Sequence, residues 1–97
     1  MATPNIVPRA DSEGGIGTAS KYWASAYIDL IYVGAGKIGR DSTDLIDFST
    51  DNSIIFRTNN ADRLRLDLSQ FYPVTDNGIS LGTATQRFSD LFLASGA

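Results

Sequence analysis

The 97-residue sequence contains no cysteine and no histidine. Without cysteine the chain has no disulfide framework and no thiolate metal site. Without histidine it lacks the commonest general base and the commonest metal ligand, and a Ser-His catalytic arrangement is excluded. The sequence also has no large excess of charge of either sign, because eight basic and eleven acidic residues leave a net charge of −3. Surfaces for nucleic acid or anionic membranes favour a basic excess, so we expect no nucleic-acid partner.

Long apolar runs are missing as well. The longest, residues 28–33, is interrupted by Asp29 and is far too short to cross a bilayer, so we expect no membrane insertion. No segment keeps a 3.6-residue apolar period beyond two turns, which excludes a long helix. A chain of 97 residues forms one domain at most, and we therefore treat residues 1–97 as a single module.

Three glycines, Gly34, Gly36 and Gly39, have the G-x-G-x-x-G spacing of a dinucleotide-binding turn. That motif needs a helix after its third glycine, because the helix N-terminus holds the pyrophosphate. A polar turn follows Gly39 instead, and then Ile46, Asp47 and Phe48 alternate as they would in a strand. We expect a connection between strands here, and no nucleotide or other cofactor.

The most informative feature of the sequence is an internal repeat. Pro8 aligns with Pro73, and this offset of 65 residues continues without gaps. The matched positions then include Gly17-Thr18-Ala19 with Gly82-Thr83-Ala84, Trp23 with Phe88, and Tyr27 with Phe92. Such an ordered run favours a duplication, with a first copy at about residues 6–30 and a second at about 71–95.

Each copy has a readable local pattern. Thr18 and Thr83 are good N-cap residues, which predicts short helical turns near residues 19–24 and 84–89. Trp23 and Phe88 would be the buried apolar anchors of these turns. The segments that follow, residues 26–33 and 90–94, are predicted to be strands.

A second rhythm lies between the copies, in a shaft segment at about residues 38–70. Phe48, Phe56, Leu64 and Tyr72 recur every eight residues, separated by Asn- and Asp-rich turns. Short strands at such spacing are typical of an all-β array. Residues 63–68 alternate leucines with charged residues, which predicts a half-buried strand.

Carboxylates and aromatic residues supply the remaining candidate sites. Three aspartates recur at intervals of three residues: Asp41, Asp44 and Asp47. In extended structure they point in different directions, and the calcium-loop pattern is missing, so we expect no metal site. Two acids suffice for a glycosidase, and Tyr22, Trp23 and Tyr27 could stack on a sugar. The match of Trp23 with Phe88 favours core packing over sugar binding.

The segment "FYPVTDNGISLGTATQRFSDLFLASG" closely resembles one that recurs in bacteriophage tail fibres and tail spikes. The central "IGRDSTDLIDFSTDNSIIFRTNNADRLRLD" resembles the shaft segments that precede it. The resemblance covers most of the chain, from about Pro8 onward. In such fibres three identical chains wrap around one axis, and the terminal segment often precedes a self-cleaving intramolecular chaperone. A fragment, a processed product and a complete small protein all fit this pattern.

The resemblance implies an all-β, elongated homotrimeric fibre module, built as a triple-stranded β-helix or a β-prism-like assembly. Its function would be structural and not enzymatic, in a shaft or tip segment of a phage tail exposed to the medium. Its partners would be further copies of itself and other virion tail proteins. The alternatives are a receptor-binding tip that recognises a host surface glycan and a glycan-cleaving tail spike. The candidates for the core or trimer axis are Trp23, Phe48, Phe56, Leu64 and Phe88.

Overall fold

A computed structural model describes residues 3–95. The chain divides into two compact units, Met1–Ile31 and Tyr32–Ala97. All the regular secondary structure among the described residues is β-strand, and it lies in the second unit, which confirms the all-β prediction. The helical turns predicted near residues 19–24 and 84–89 are wrong, because no helix occurs between residues 3 and 95. The same residues accordingly offer no helix that could cross a membrane.

The second unit contains one five-stranded antiparallel sheet, in which each strand pairs with the next along the chain. The strands are β1 (Lys37–Gly39), β2 (Leu45–Asp47), β3 (Ile54–Thr58), β4 (Ala61–Leu66) and β5 (Phe71–Pro73). Sequential antiparallel strands need only short connections, and the Asn- and Asp-rich clusters predicted as turns supply them.

Asparagine and aspartate set these turns. Asn59 and Asn60 both have positive φ, 50° and 62°, in the two-residue loop that joins β3 to β4. That conformation suits a tight hairpin turn, and asparagine tolerates it better than most residues. Between β1 and β2, the Asp41 carboxylate accepts hydrogen bonds from the backbone N–H groups of Thr43 and Asp44, at 2.9 and 3.0 Å.

A register shift between Phe56 and Arg57 sets the charge pattern of the β3–β4 hairpin. Phe56 stands opposite Leu64, so regular pairing would put Arg57 opposite Arg63. The irregularity instead places Arg57 opposite Asp62. Like charges directly opposite each other destabilise a sheet, whereas opposite charges stabilise it. The bulge thus replaces a repulsive pair with an attractive one.

The first unit contains no strand between residues 3 and 31. Thr18 and Lys21 instead exchange backbone hydrogen bonds of 2.7 and 3.3 Å, which closes a tight turn. The Thr18 hydroxyl also accepts from the Lys21 N–H at 3.0 Å, which is the contact expected of an N-cap. Because the Lys21 carbonyl folds back onto Thr18, the chain leaves the turn before a helix can start.

The strands predicted at residues 26–33 and 90–94 are also absent. Both segments have the composition of strands. A strand, however, requires a neighbouring strand for its backbone hydrogen bonds. Composition alone therefore did not decide the structure of these segments.

The buried interior is very small. Ile55, at 7% exposure, is the one buried large apolar residue between residues 3 and 95. Two polar residues, Asp47 and Ser53, are also buried. None of the described side chains is fully buried. Most large apolar residues of both units are exposed, which leaves much apolar surface for a further contact.

Candidate functional site

The strand register separates the sheet into an apolar face and a charged face. Directly paired residues of antiparallel strands lie on the same face, and so do residues two apart along a strand. The apolar face carries Ile38, Ile46, Ile54, Phe56, Leu64, Leu66, Phe71 and Pro73. Thr58 and Ala61, at the hairpin end of this face, complete it, and no charged side chain lies among these paired residues.

The apolar face is substantially exposed. Phe56 is 38% exposed and Phe71 is 61% exposed, and the exposures of Ile38 and Leu66 fall between these two values. Phe48 follows β2 and extends the ladder, because its N–H donates to the carbonyl of Gly36 at 2.5 Å. Phe48, Ile54 and Leu66 line a surface depression of about 520 Å³. The other four residues of the face, Ile46, Ile54, Leu64 and Pro73, are half-buried. An apolar surface that stays this accessible is typical of an interaction surface.

The charged face carries an ion-pair network instead. The Arg57 guanidinium donates to the Asp62 carboxylate at 2.8 Å and lies 3.8 Å from that of Asp47. Arg65 donates to the Ser53 hydroxyl at 3.0 Å, while its buried Nε has no hydrogen-bond partner. Most of the charged groups on this face thus pair within the chain, and the Arg65 Nε is the exception.

The hydrogen bonds of the charged face shift several pKa values. The Ser49 hydroxyl, with the Ser49 N–H, holds the pKa of Asp47 below its usual value. The hydrogen bond to Asp62 raises the pKa of the Arg57 guanidinium. The Tyr72 hydroxyl donates to Asp67 at 2.9 Å, and this bond raises the pKa of Tyr72. All three shifts favour the protonation states already present near neutral pH.

The structure brings together three of the five residues proposed for the core or trimer axis. Phe56 and Leu64 face each other across β3 and β4, and Phe48 lines the depression beside Leu66. Tyr72, the fourth residue of the eight-residue rhythm, pairs with Arg65 on the charged face. Proline at the third position of β5 therefore takes the apolar place opposite Leu64.

Trp23 and Phe88 lie outside the sheet, in the two copies of the repeat. They are 71% and 64% exposed, so the expectation that both are buried is wrong for the single chain. Each ring lies close to the turn glycine of its own copy. A Cβ on Gly17 would lie 3.7 Å from the Trp23 ring, and one on Gly82 would lie 3.4 Å from the Phe88 ring.

The two copies of the repeat nevertheless share their local geometry. Residues 9–29 and 74–94 show the same succession of turns and bends, residue for residue. Gly17 and Gly82 have φ of 85° and 87°, and Ser12 and Asn77 have φ of 64° and 59°. In the second copy the Gln86 N–H donates to the Thr83 hydroxyl at 2.8 Å, as Lys21 does in the first.

Two of the three glycines with the dinucleotide spacing have separate structural roles, whereas a Cβ on Gly34 would meet nothing within 4 Å. Gly36 turns the chain into β1 with φ of 77°, and a Cβ there would lie 2.9 Å from the Ser49 backbone. Gly39 pairs with Leu45, whose Cβ would be only 2.3 Å from a Cβ at residue 39. Strand β2 follows, and no helix N-terminus faces these glycines within residues 3–95.

The aspartates at intervals of three residues do not form a cluster of ligands. Asp41 accepts from the Thr43 and Asp44 backbone, and its pKa is lowered mainly by the Thr43 hydroxyl. Asp47 lies on the charged face beside Arg57. Between residues 3 and 95 no three side chains of the metal-binding types come together.

Sequence reasoning missed most of the apolar face. Ile38, Ile46 and Ile54 were not among the candidates, although Ile46 and Ile54 each precede a predicted Phe by two residues. A period of two around Phe48 and Phe56 would have identified Ile46 and Ile54, because alternate residues of a strand share a face. The strand register was needed to add Phe71, which lies opposite Leu66.

Comparison with known protein families, with curated protein sequences and with solved structures finds no match for this chain.

Proposed function

We propose that the chain is a structural module of a bacteriophage tail fibre, forming a shaft or tip segment for host attachment, and that it works as a homotrimer. The observation that carries the proposal is the apolar face of the sheet. On that face Phe56 is 38% exposed and Phe71 is 61% exposed, while the opposite face pairs Arg57 with Asp62 within the chain. A sheet with one apolar face is stable only when another layer covers it.

The total exposed area supports self-association. The chain exposes 9448 Å². A compact monomer of 10.4 kDa would expose about 5,400 Å². The difference of about 4,000 Å² falls within the ~2,000–5,000 Å² of an obligate interface. Identical copies are the simplest source of such an interface, because closed cyclic assemblies are the ordinary form of homo-oligomers.

The number three and the phage context come from the sequence resemblance. Threefold association would bring three apolar faces toward one axis, as a triple-stranded β-helix or a β-prism-like module, and leave the charged faces outside. In this proposal the chain is not an enzyme and needs no cofactor. Its location is the phage tail, exposed to the medium, with other virion tail proteins as neighbours.

A receptor-binding tip is the second candidate, and one observation favours it. Three aromatic side chains of the first unit are highly exposed: Tyr22 at 82%, Trp23 at 71% and Tyr27 at 98%. Exposed aromatic rings suit stacking on sugars. Binding to a glycan array distinguishes this role from a purely structural one, and turnover of an oligosaccharide would identify a glycan-cleaving tail spike.

Sedimentation equilibrium tests the proposal directly. We expect a single species of three times the 10.4 kDa chain mass at micromolar concentration. A well-folded monomer at that concentration contradicts the assembly. Immunogold labelling of virions whose genome encodes the chain then tests the location, and label that is absent from the tail contradicts the phage-fibre role.

A further inference from the structure

Residues 27–31 of the first unit have the composition of a strand but not its structure. The sequence Tyr-Ile-Asp-Leu-Ile is rich in β-branched and aromatic residues, which are enriched in strands. Tyr27 is 98% exposed, and Ile28, Leu30 and Ile31 are each at least 60% exposed. Most of the apolar surface of this segment is therefore exposed to solvent in the single chain.

The backbone of the segment is also unpaired within that unit. Between residues 3 and 31, the backbone–backbone hydrogen bonds are the two that join Thr18 and Lys21. The segment bends at Asp29 and contains no strand residue, and backbone N–H and C=O groups form hydrogen bonds whenever they are removed from water. Residues 27–31 thus combine exposed apolar side chains with an unused row of backbone donors and acceptors.

We propose that residues 27–31 become a β-strand only on assembly, by pairing with the backbone of another copy of this chain. The inference rests on the proposed self-association and names the segment through which the first unit takes part in it. An extended segment that adds to another β-structure gains affinity from backbone hydrogen bonds and specificity from alternate side chains. In the paired strand Ile28 and Leu30 would lie on one side, and Asp29 would lie on the other with Tyr27 and Ile31.

A further copy is the partner because the chain repeats the same unpaired feature. Tyr27 and Ile28 correspond to Phe92 and Leu93 in the second copy of the repeat, within the region of shared local geometry. Phe92 is 90% exposed and Leu93 is 50% exposed. Each chain therefore brings two equivalent pairs of exposed apolar residues, Tyr27-Ile28 and Phe92-Leu93. The excess exposed area of about 4,000 Å² leaves room for contacts between copies beyond the sheet.

Hydrogen exchange of the full chain at several protein concentrations tests the pairing. We expect the amides of residues 27–32 to exchange at least tenfold more slowly at concentrations where the chain assembles than at high dilution. Fast exchange in a protein that is shown to be trimeric overturns this inference and leaves the proposed function standing. Slow exchange that does not depend on concentration assigns the pairing to the same chain and also overturns it. A monomer at all concentrations contradicts both proposals.

Proline substitutions supply an independent test. Leu30→Pro and Ile31→Pro each remove one backbone N–H, and the N–H groups of adjacent strand residues point to opposite edges. We expect at least one of the two variants to raise the dissociation constant of assembly tenfold or more. Ile6→Pro is the matched control, since Ile6 is fully exposed and makes no described backbone hydrogen bond. Assembly of both variants at wild-type affinity overturns the inference.

Discussion

At the scale of single residues, Asp47 is the carboxylate most closely held by the sheet. It is buried, it lies 3.8 Å from the Arg57 guanidinium, and its Oδ1 accepts from the Ser49 hydroxyl at 2.5 Å and from the Ser49 N–H at 2.8 Å. Hydrogen bonds to the charged form of a carboxylate lower its pKa. The charge is therefore stabilised locally, by the residue two positions along the chain.

Ser49→Ala should raise the pKa of Asp47 toward 3.8 and lower stability by about 1 kcal/mol at neutral pH. A carboxyl whose folded pKa is depressed contributes stability above its unfolded pKa and loses it as the pH falls through the folded value. The difference between the variant and the wild type should thus shrink toward pH ~2. Urea unfolding at both pH values measures it. A difference that does not change with pH contradicts this origin, and Ser69→Ala, at a serine with no described hydrogen bond, is the control.

At the scale of elements, the β3–β4 hairpin combines a tight turn, a bulge and an ion pair within the thirteen residues from Ile54 to Leu66. Asn60 has φ of 62°, and its N–H also donates to the Thr43 carbonyl at 2.9 Å. The turn thereby joins the hairpin to the connection between β1 and β2. The Arg57–Asp62 pair then secures the register that the bulge creates.

Asn60→Val should destabilise the sheet by about 1–2 kcal/mol, because a β-branched residue tolerates a left-handed backbone poorly. Asn60→Gly keeps the N–H and relieves the backbone conformation, so it should leave stability unchanged or slightly higher. Comparison of the two variants by thermal unfolding at one protein concentration isolates the backbone effect. Equal stability of the two would show that the positive φ at residue 60 is not important.

Local signals in the sequence were sufficient to predict the all-β class but not the arrangement of the strands. The alternation around Leu64 and the Asn-rich turn before it predicted a strand and a turn, because such signals lie close in the chain, although the strand runs over Ala61–Leu66 and not over residues 63–68. The strand predicted at residues 26–33 failed because no neighbouring strand was available. The helical turns failed because an N-cap hydrogen bond, present at Thr18, also fits a tight turn. The residues of the apolar face could be identified only from the strand register, which contains a bulge after Phe56 and places Pro73 opposite Leu64.

At the scale of the whole molecule, the buried interior is too small for the amount of ordered backbone. Only Ile55 is a buried apolar residue among residues 3–95. Burial of a large apolar side chain contributes about 1.5–3 kcal/mol, whereas ordering the backbone costs about 1–2 kcal/mol for each residue. We expect the stabilisation that is missing within one chain to come from contacts between chains, and folding to be coupled to assembly.

Phe56→Asp tests that coupling at the centre of the apolar face. Phe56 pairs with Ile46 on one side and with Leu64 on the other, so a carboxylate there would be surrounded by apolar side chains. In a trimer the substitution would also bring three like charges near one axis, and an unpaired buried charge is strongly destabilising. We expect the variant to lose both the trimer in sedimentation equilibrium and the strand signal in circular dichroism.

Val7→Asp is the matched control, because Val7 is 74% exposed and lies in the first unit, outside the sheet. It introduces the same charge and should leave the trimer intact. For the wild type, the midpoint of thermal unfolding should rise with protein concentration, as mass action requires when only the assembled state is folded. An unfolding midpoint that does not depend on concentration, or a Phe56→Asp variant that assembles like the wild type, would show that the apolar face is not what holds the copies together.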